Sequence, residues 1–563
     1  MREFQVDPAR LHRLTTLSAV FGGAVWLILG VLGAFTRFEW LLLLSPLVVV
    51  ALLVHQLDRS FRSRFQQYAL LAQPIGAVAL LVSFTQPAGV IASLLALPWF
   101  FVTVLVALWG VQRLGYRGFR PIAALAVDAG LLYLPVGGGW LLLSRAGLTP
   151  LGFGPTIVFF TAVHFHYAGF AVATIAGLAG RTIDHSRPSR RRLWYRWSTL
   201  AIIVGPGLIA AGITLSPAVE IVSVFILTAG IASFGLGVLA WIVPRRAHPA
   251  QQLLLAIGAI AVSVSMLFAL TFGLSIFLER QLFGLTIEKM VRLHGQLNAI
   301  GFALLSAIGW TIDPPPTLQP ATVSLSSLSS SGRVGSDYLS RNDLEGPGSP
   351  IGQLRSLEAY ERDDFDPTAV DPAVRRFYER TAEYELEYEV TYHAGFRQLG
   401  QLGTRLTTTI GQLALPGPDA GSHRTNSRIV DVDDDIDGRD DVRAWIREDM
   451  TSGDAVFVAA YTTDRSDDGA TMSIGLPLPW STLSAVLWME PLPDSAGLSL
   501  RSDGPTTDTG MFIRTPVGPL RLPLHETFRI RPALDQSIEC TAEHRMWLFG
   551  RPFLTIVYDI SIE

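Results

Sequence analysis

Residues 40–64 read WLLLLSPLVVVALLVHQLDRSFRSR, and the fold turns on them: residues 40–57 are almost wholly apolar and uncharged, and Arg59, Arg62 and Arg64 close the run. About 18 apolar residues are enough for a helix to cross the hydrocarbon core of a bilayer. The stretch therefore reads as a membrane span with a basic segment on one side.

Working outward, the same pattern gives ten spans, at about 17–36, 40–57, 68–85, 88–110, 122–143, 155–180, 197–215, 219–243, 251–278 and 291–310. The first follows Arg2, Arg10 and Arg13 like a signal peptide, but its length and the spans behind it make it the first membrane helix. With the N-terminus inside, the inner connections carry 17 arginines, whereas the outer ones carry only Arg37, Arg145, Arg280, Lys289 and Arg292. Basic residues stay on the cytoplasmic side during insertion. A multi-pass cell-membrane protein with both termini cytoplasmic is the expectation. The outer connections at Gln86-Pro87 and Ser216-Pro217 hold no basic residue and read as tight hairpins.

Charge divides the chain in the same place. Residues 1–310 hold 22 Lys+Arg against 9 Asp+Glu, and residues 311–563 hold 22 against 39, nets of +13 and −17. An acidic tail of that size makes a poor nucleic-acid binder. Cys540 is the sole cysteine, so no disulfide forms within the chain.

The predicted organisation is a membrane all-α bundle over 1–312, a flexible Pro/Ser/Gly-rich linker over 313–350, and a soluble, acidic, cytoplasmic α+β domain over 351–563. In that domain Asp371-Pro372 opens a helix carrying Val374, Phe377, Tyr378, Tyr384 and Tyr388 at helical spacing. From about 428, runs such as AVFVAAYT, TLSAVLWME, HETFRIRP, ECTAEHRMWLF and FLTIVYDISI alternate between turns, as in an antiparallel β-sheet or small barrel.

Ionisable groups in membrane spans are costly when they face lipid, and so mark candidate sites. They are Asp128 in the fifth span, His164 and His166 beside Tyr167 in the sixth, and His294 in the tenth, near Asn298. At about 1.5 Å per residue, His164 and His166 lie roughly 13–17 Å below the outer end of their span, and His294 within about 5 Å of the start of its own. Residues two apart on a helix point about 200° apart, so at most one of the pair joins His294. Three readings stand for these groups. They hold a metal or haem through His164, His166 and His294; they relay protons or a solute; or they hydrogen-bond neighbouring helices, with Gly169 allowing close approach. Asp128 reads as a path residue or as the partner of an arginine such as Arg120.

Gly and Pro interrupt the fifth span at 135–139 and the seventh at 205–207, as in the broken helices that line transporter paths. The two breaks do not correspond in a five-plus-five repeat, which argues against a secondary carrier. Asp433, Asp435, Asp437 and Gly438 follow the order of a calcium loop, but Ala444 stands where the bidentate Glu belongs, so the run reads as solvated surface. His525-Glu526 and Glu543-His544 fall in strands without a ligand spacing, and the sequence displays no catalytic residue set.

TAVHFHYAGF in a middle span, LHGQLNAIGF in the last, and VRRFYERT and LFGRPFLTIVYDI in the tail together resemble the YndJ-like family of membrane proteins. That resemblance implies a polytopic membrane protein and carries over no catalytic residue. Two functions remain open. One is a non-enzymatic membrane scaffold or sensor whose cytoplasmic domain binds a small apolar ligand or a protein partner. The other is a haem- or metal-dependent redox or transport protein using the intramembrane histidines.

Overall fold

The computed structural model describes residues 7–58, 63–119, 121–183, 189–316, 324–466, 469–493, 495–506, 508–515, 518–534 and 537–562. Arg2, Arg59, Arg62, Arg120 and Arg187 of the inner arginine set, and 317–323 of the expected linker, lie outside the described residues. The chain divides into two compact units, one comprising Met1–Leu114 and Phe119–Gln319, the other chiefly Pro320–Glu563.

Among the described residues of the first unit, ten helices are long and apolar enough to cross a membrane: α1 Pro8–Val31, α2 Arg37–Leu57, α3 Arg64–Ser83, α4 Val90–Arg117, α5 Ile122–Ala146, α6 Pro155–Gly180, α7 Arg190–Leu215, α8 Pro217–Arg245, α9 Pro249–Phe277 and α10 Ile287–Ile312. Each falls on an expected span. Their starts are written locally: the Asp7 side chain accepts from Ala9 N at α1, Thr36 and Glu39 form a reciprocal capping box at α2, and Ser216 caps α8 ahead of Pro217. Leu17, Phe21, Ile91 and Phe101 point outward uncovered, as lipid-facing side chains do.

The expected breaks in the fifth and seventh spans do not occur. Both α5 and α7 run through, with Pro135 and Pro206 inside them. Their glycines serve packing instead: a Cβ on Gly137 would stand 2.7 Å from His166 Nδ1, and one on Gly205 would strike Leu227. The irregular helix lies elsewhere, in π-helical segments at Ser45–Val49 of α2, Phe165–Ala171 of α6, Val238–Ile242 of α8 and Val291–Gly295 and Leu297–Leu304 of α10. Those of α2, α6 and α10 pack against one another. In α2, Pro46 has no N–H to give to the ladder. Nearby carbonyls are taken from outside: Leu41 O by the Tyr167 hydroxyl (2.5 Å) and Pro46 O by Gln73 (2.7 Å).

In the second unit, helix α11 (Pro372–Glu379) is capped by Asp371 as expected, but it ends before Tyr384. Tyr384 and Tyr388 lie in strand β1 (Tyr384–Tyr392), where Tyr384, Leu386, Tyr388 and Val390 are buried and glutamates stand between them. The spacing of four between the tyrosines fits a helix and a strand alike; the alternating glutamates decide it. Helix α12 (Arg397–Ile410) follows.

The remaining strands are β2 Ser422–Asp431, β3 Arg443–Asp449, β4 Ala455–Ser466, β5 Gly469–Leu478, β6 Ser481–Pro491, β7 Leu498–Arg501, β8 Gly510–Thr515, β9 Gly518–Arg521, β10 Leu524–Pro532, β11 Cys540–Leu548 and β12 Arg551–Ile562. The order β5-β4-β3-β2-β1-β12-β11-β10-β7-β6 returns to β5 through Thr471↔Trp488 to Leu478↔Ser481, so ten antiparallel strands close a barrel and remove its edges. The β8–β9 hairpin hangs from β6. Because every neighbour is antiparallel, α12 leaves β1 at the barrel end that also holds the β3–β4, β5–β6 and β11–β12 turns. Helix α11 feeds β1 from the opposite end.

Within 313–350 the described residues from 324 onward belong to this unit and not to a free linker. Leu328, Val334, Tyr338 and Leu339 are buried against Ala444, Ile446 and Val458 on the outside of β3 and β4. The Pro/Ser/Gly content hid four apolar residues spaced to suit a strap. The strap explains why β3 is buried on both faces: Ala444 and Ile446 meet it, while Trp445 and Arg447 point into the barrel.

Candidate functional site

In the helical unit each candidate residue has an address. Asp128 is fully buried and pairs with Arg113 of α4 at 2.6 Å, and the Arg113 guanidinium lies 5.2 Å from the Trp109 ring centre; Arg120, the partner expected from the sequence, lies outside the described residues. His166 is saturated: Nδ1 lies 2.8 Å from Ala162 O and Nε2 accepts from Trp99 Nε1 at 3.1 Å. The Tyr167 hydroxyl is spent on α2. His294 Nδ1 meets Ser265 Oγ (2.9 Å) and Ser265 O (3.1 Å) on α9, and Asn298 donates to His294 O (2.9 Å) and to Ser265 Oγ.

His164 is different. Its Nδ1 turns back to Phe160 O at 2.7 Å, and His164 lies within electrostatic reach of His294. Helix α10 begins at Ile287, earlier than the sequence pattern indicates, which places His294 about 10 Å into its helix and nearly level with His164. Among the described residues no three His, Cys, Asp or Glu side chains gather as a metal site.

The acidic run at 433–441 is not simply solvated surface. Asp437 is fully buried, bonded to Arg439 Nε (2.5 Å) and Ser326 Oγ (2.5 Å), and Arg439 also donates to Ser473 O and Ala460 O. That pair pins the strap to the barrel wall.

The barrel encloses a cavity of about 440 Å³, its wall dominated by side chains such as Leu386, Trp445, Met472, Leu487, Phe528 and Ile556. Gly400, Gly403, Thr404 and Thr407 of α12 line it from one end, Phe377 and Tyr378 of α11 also contribute, and Leu402 and Leu406 of α12 face outward, exposed. A few polar groups break the apolar wall: Arg447, Tyr461, Glu526, His544 and Tyr558. Glu526 and His544, which the sequence shows only in separate His/Glu pairs, meet across β10 and β11 at 3.0 Å. Burial pushes the Tyr461 hydroxyl up to about 12 and raises Tyr558 as well.

Arg447 is 7% exposed. Its guanidinium carbon lies 4.3 Å from the Trp445 ring centre, 4.2 Å from that of Phe457 and 5.9 Å from that of Tyr558. Its Nε has no partner, and no carboxylate pairs with it among the described residues. Nearby Asp449 is already committed. Burial works to raise its pKa, but the Ser452 and Thr451 N–H groups and His423 (2.7 Å) hold it below the usual carboxylate range.

The profile of the YndJ-like protein family matches residues 40–302. A Bacillus subtilis (strain 168) protein described as uncharacterized membrane protein YndJ is 34% identical over 473 residues, covering 83% of each chain. This chain belongs to the YndJ-like family. The similarity to the Bacillus protein is too long for the helical unit alone, which ends at 319, so the YndJ-like likeness extends into the barrel unit. No solved structure matches the chain.

The sequence pattern of this YndJ-like chain did not single out Arg447 or α12 as lumen elements, and it offered Glu526 and His544 only as members of neighbouring pairs without a ligand spacing. One signal was available: RAWIRED places Trp445 and Arg447 on the same strand face, so a strand with Trp inside also has Arg inside.

Proposed function

We propose that this YndJ-like protein is a multi-pass cell-membrane protein whose barrel is a non-enzymatic receptor for a small apolar ligand. The observation that carries this reading is the apolar lumen of the barrel. Its volume lies within the range of about 300–1,000 Å³ typical of small-molecule sites, and an apolar wall with few polar groups is the usual make-up of such a site. Ten crossings return the chain to its starting side, and the arginine bias makes that side cytoplasmic. The ligand is then taken from the cytoplasm or the inner leaflet, with α12 as the movable wall. The test is binding of decanol to the purified full-length protein by calorimetry, beside Ala485→Trp, which fills the lumen. Saturable binding lost in the variant supports the receptor; absence of binding to the wild type rejects it. A reporter fused after Glu563 and found outside would reject the orientation.

A second reading rests on His164 and His294, each with Nδ1 against a backbone carbonyl, an arrangement that orients Nε2 for a metal or haem. It predicts a Soret-region absorbance or stoichiometric metal in the purified protein that is lost in His164→Ala and His294→Ala. A colourless, metal-free preparation ends it.

A further inference from the structure

We infer that Arg447 is the headgroup site of the lumen, and that the ligand is an apolar monoanion whose carboxylate it binds. The inference rests on the receptor reading above and names the ligand's polar end. A buried guanidinium needs compensation for lost hydration, normally from a carboxylate and a full set of acceptors. The same unit shows what that looks like: Arg439, equally withdrawn, has Asp437 and two backbone carbonyls. Arg447 has aromatic faces, one tyrosine and an Nε with no acceptor, and it lines the cavity.

The one acid lining the lumen among the described residues and the acid two residues along β3 from Arg447 are both otherwise engaged. Glu526 is bound to His544, and Asp449 to His423 and to the backbone N–H groups of Thr451 and Ser452. The remaining acceptor has to come from whatever fills the cavity. A guanidinium fork matches a planar carboxylate with two parallel bonds. Glu526 lies within electrostatic reach of Tyr461 and Tyr558, as Arg447 does, so a dianion such as a phosphate monoester would meet stronger repulsion there than a singly charged carboxylate. The apolar wall then takes the hydrocarbon.

The experiment uses full-length protein in detergent with decanoate, decanol and decyl phosphate at pH 8, followed by calorimetry. Wild type should bind decanoate at least about tenfold more tightly than decanol, a difference of about 1.4 kcal/mol, and more tightly than decyl phosphate. Arg447→Met should abolish that preference while leaving decanol affinity unchanged or improved, and Arg447→Lys should keep part of it. Equal affinity of the wild type for decanoate and decanol overturns the headgroup assignment and leaves the receptor standing. Preference for decyl phosphate overturns the carboxylate. Failure to bind any of the three overturns both readings. Because the wild-type ratio is itself decisive, the outcome does not depend on how well a variant folds.

Discussion

Asp128 and Arg447 are both ionisable side chains withdrawn from water, and the two units treat them in opposite ways. In the helical unit Asp128 is met by Arg113 at 2.6 Å, so one buried charge answers another between α4 and α5. In the barrel Arg447 is met by the rings of Trp445 and Phe457 and, among the described residues, by no carboxylate. Helices in a bundle can bring a partner to a charge from any neighbouring span, and a charge facing lipid is costly enough that they do. A barrel lumen is shaped around its contents, and a polar group left without a partner there is left for an occupant.

The largest expected effect breaks the first half of that contrast. Asp128→Ala strands Arg113 and should cost about 3–5 kcal/mol, whereas the double replacement Asp128→Leu with Arg113→Met should recover most of the loss. Thermal unfolding in detergent reads both. If the single variant unfolds within about 1 kcal/mol of wild type, the pair does not hold α4 to α5 and Asp128 returns as a path residue.

How much of this was legible depended on the period of the pattern. The ten spans are long uniform runs, which no rival structure imitates, and the five strand phrases from AVFVAAYT onward are short β-rich runs punctuated by turns; both were readable. Tyr384 and Tyr388 misled because a spacing of four suits a helix and a strand alike. The strap at 326–344 hid behind its serines. The histidines were visible as anomalies, but their partners, Trp99 and Ser265, come from other helices and nothing local announces them. Arg447 was easy to overlook for the converse reason: an arginine in a strand is ordinary, and although RAWIRED puts it on the face of Trp445, only closure of the barrel shows which face is inside.

The histidine pair sharpens the contrast inside the helical unit. His166→Ala removes the acceptor of the buried Trp99 N–H and should cost about 1–3 kcal/mol. His164→Ala, whose Nδ1 only turns back on its own helix, should cost less than about 0.5 kcal/mol. Equal losses would mean that His164 has a partner as essential as Trp99, which would favour the metal reading.

Smaller still is an acid-limb effect in the barrel. Asp449 has a lowered pKa in the folded protein, so its contribution is complete above about 3.9, the ordinary aspartate value, and is lost as pH falls through its folded value. Stability of wild type should therefore fall more steeply below that point than stability of Asp449→Asn, measured by denaturant titration at a series of pH values. Parallel acid limbs would show that the His423 and backbone contacts do not favour the carboxylate.

The smallest expected effect is the most telling. In the unliganded protein Arg447→Met removes a buried cation that has no carboxylate to strand, and methionine can fill the space between Trp445 and Phe457. Stability should change by less than about 1 kcal/mol or rise, the opposite of Asp128→Ala although both substitutions delete a buried charge. A loss of about 3 kcal/mol or more would mean that Arg447 is compensated within the folded chain, and the difference between the two units would disappear. A neutral result combined with lost decanoate binding separates the roles: Arg113 and Asp128 hold the bundle together, whereas Arg447 is carried at little structural benefit for the ligand it recognises.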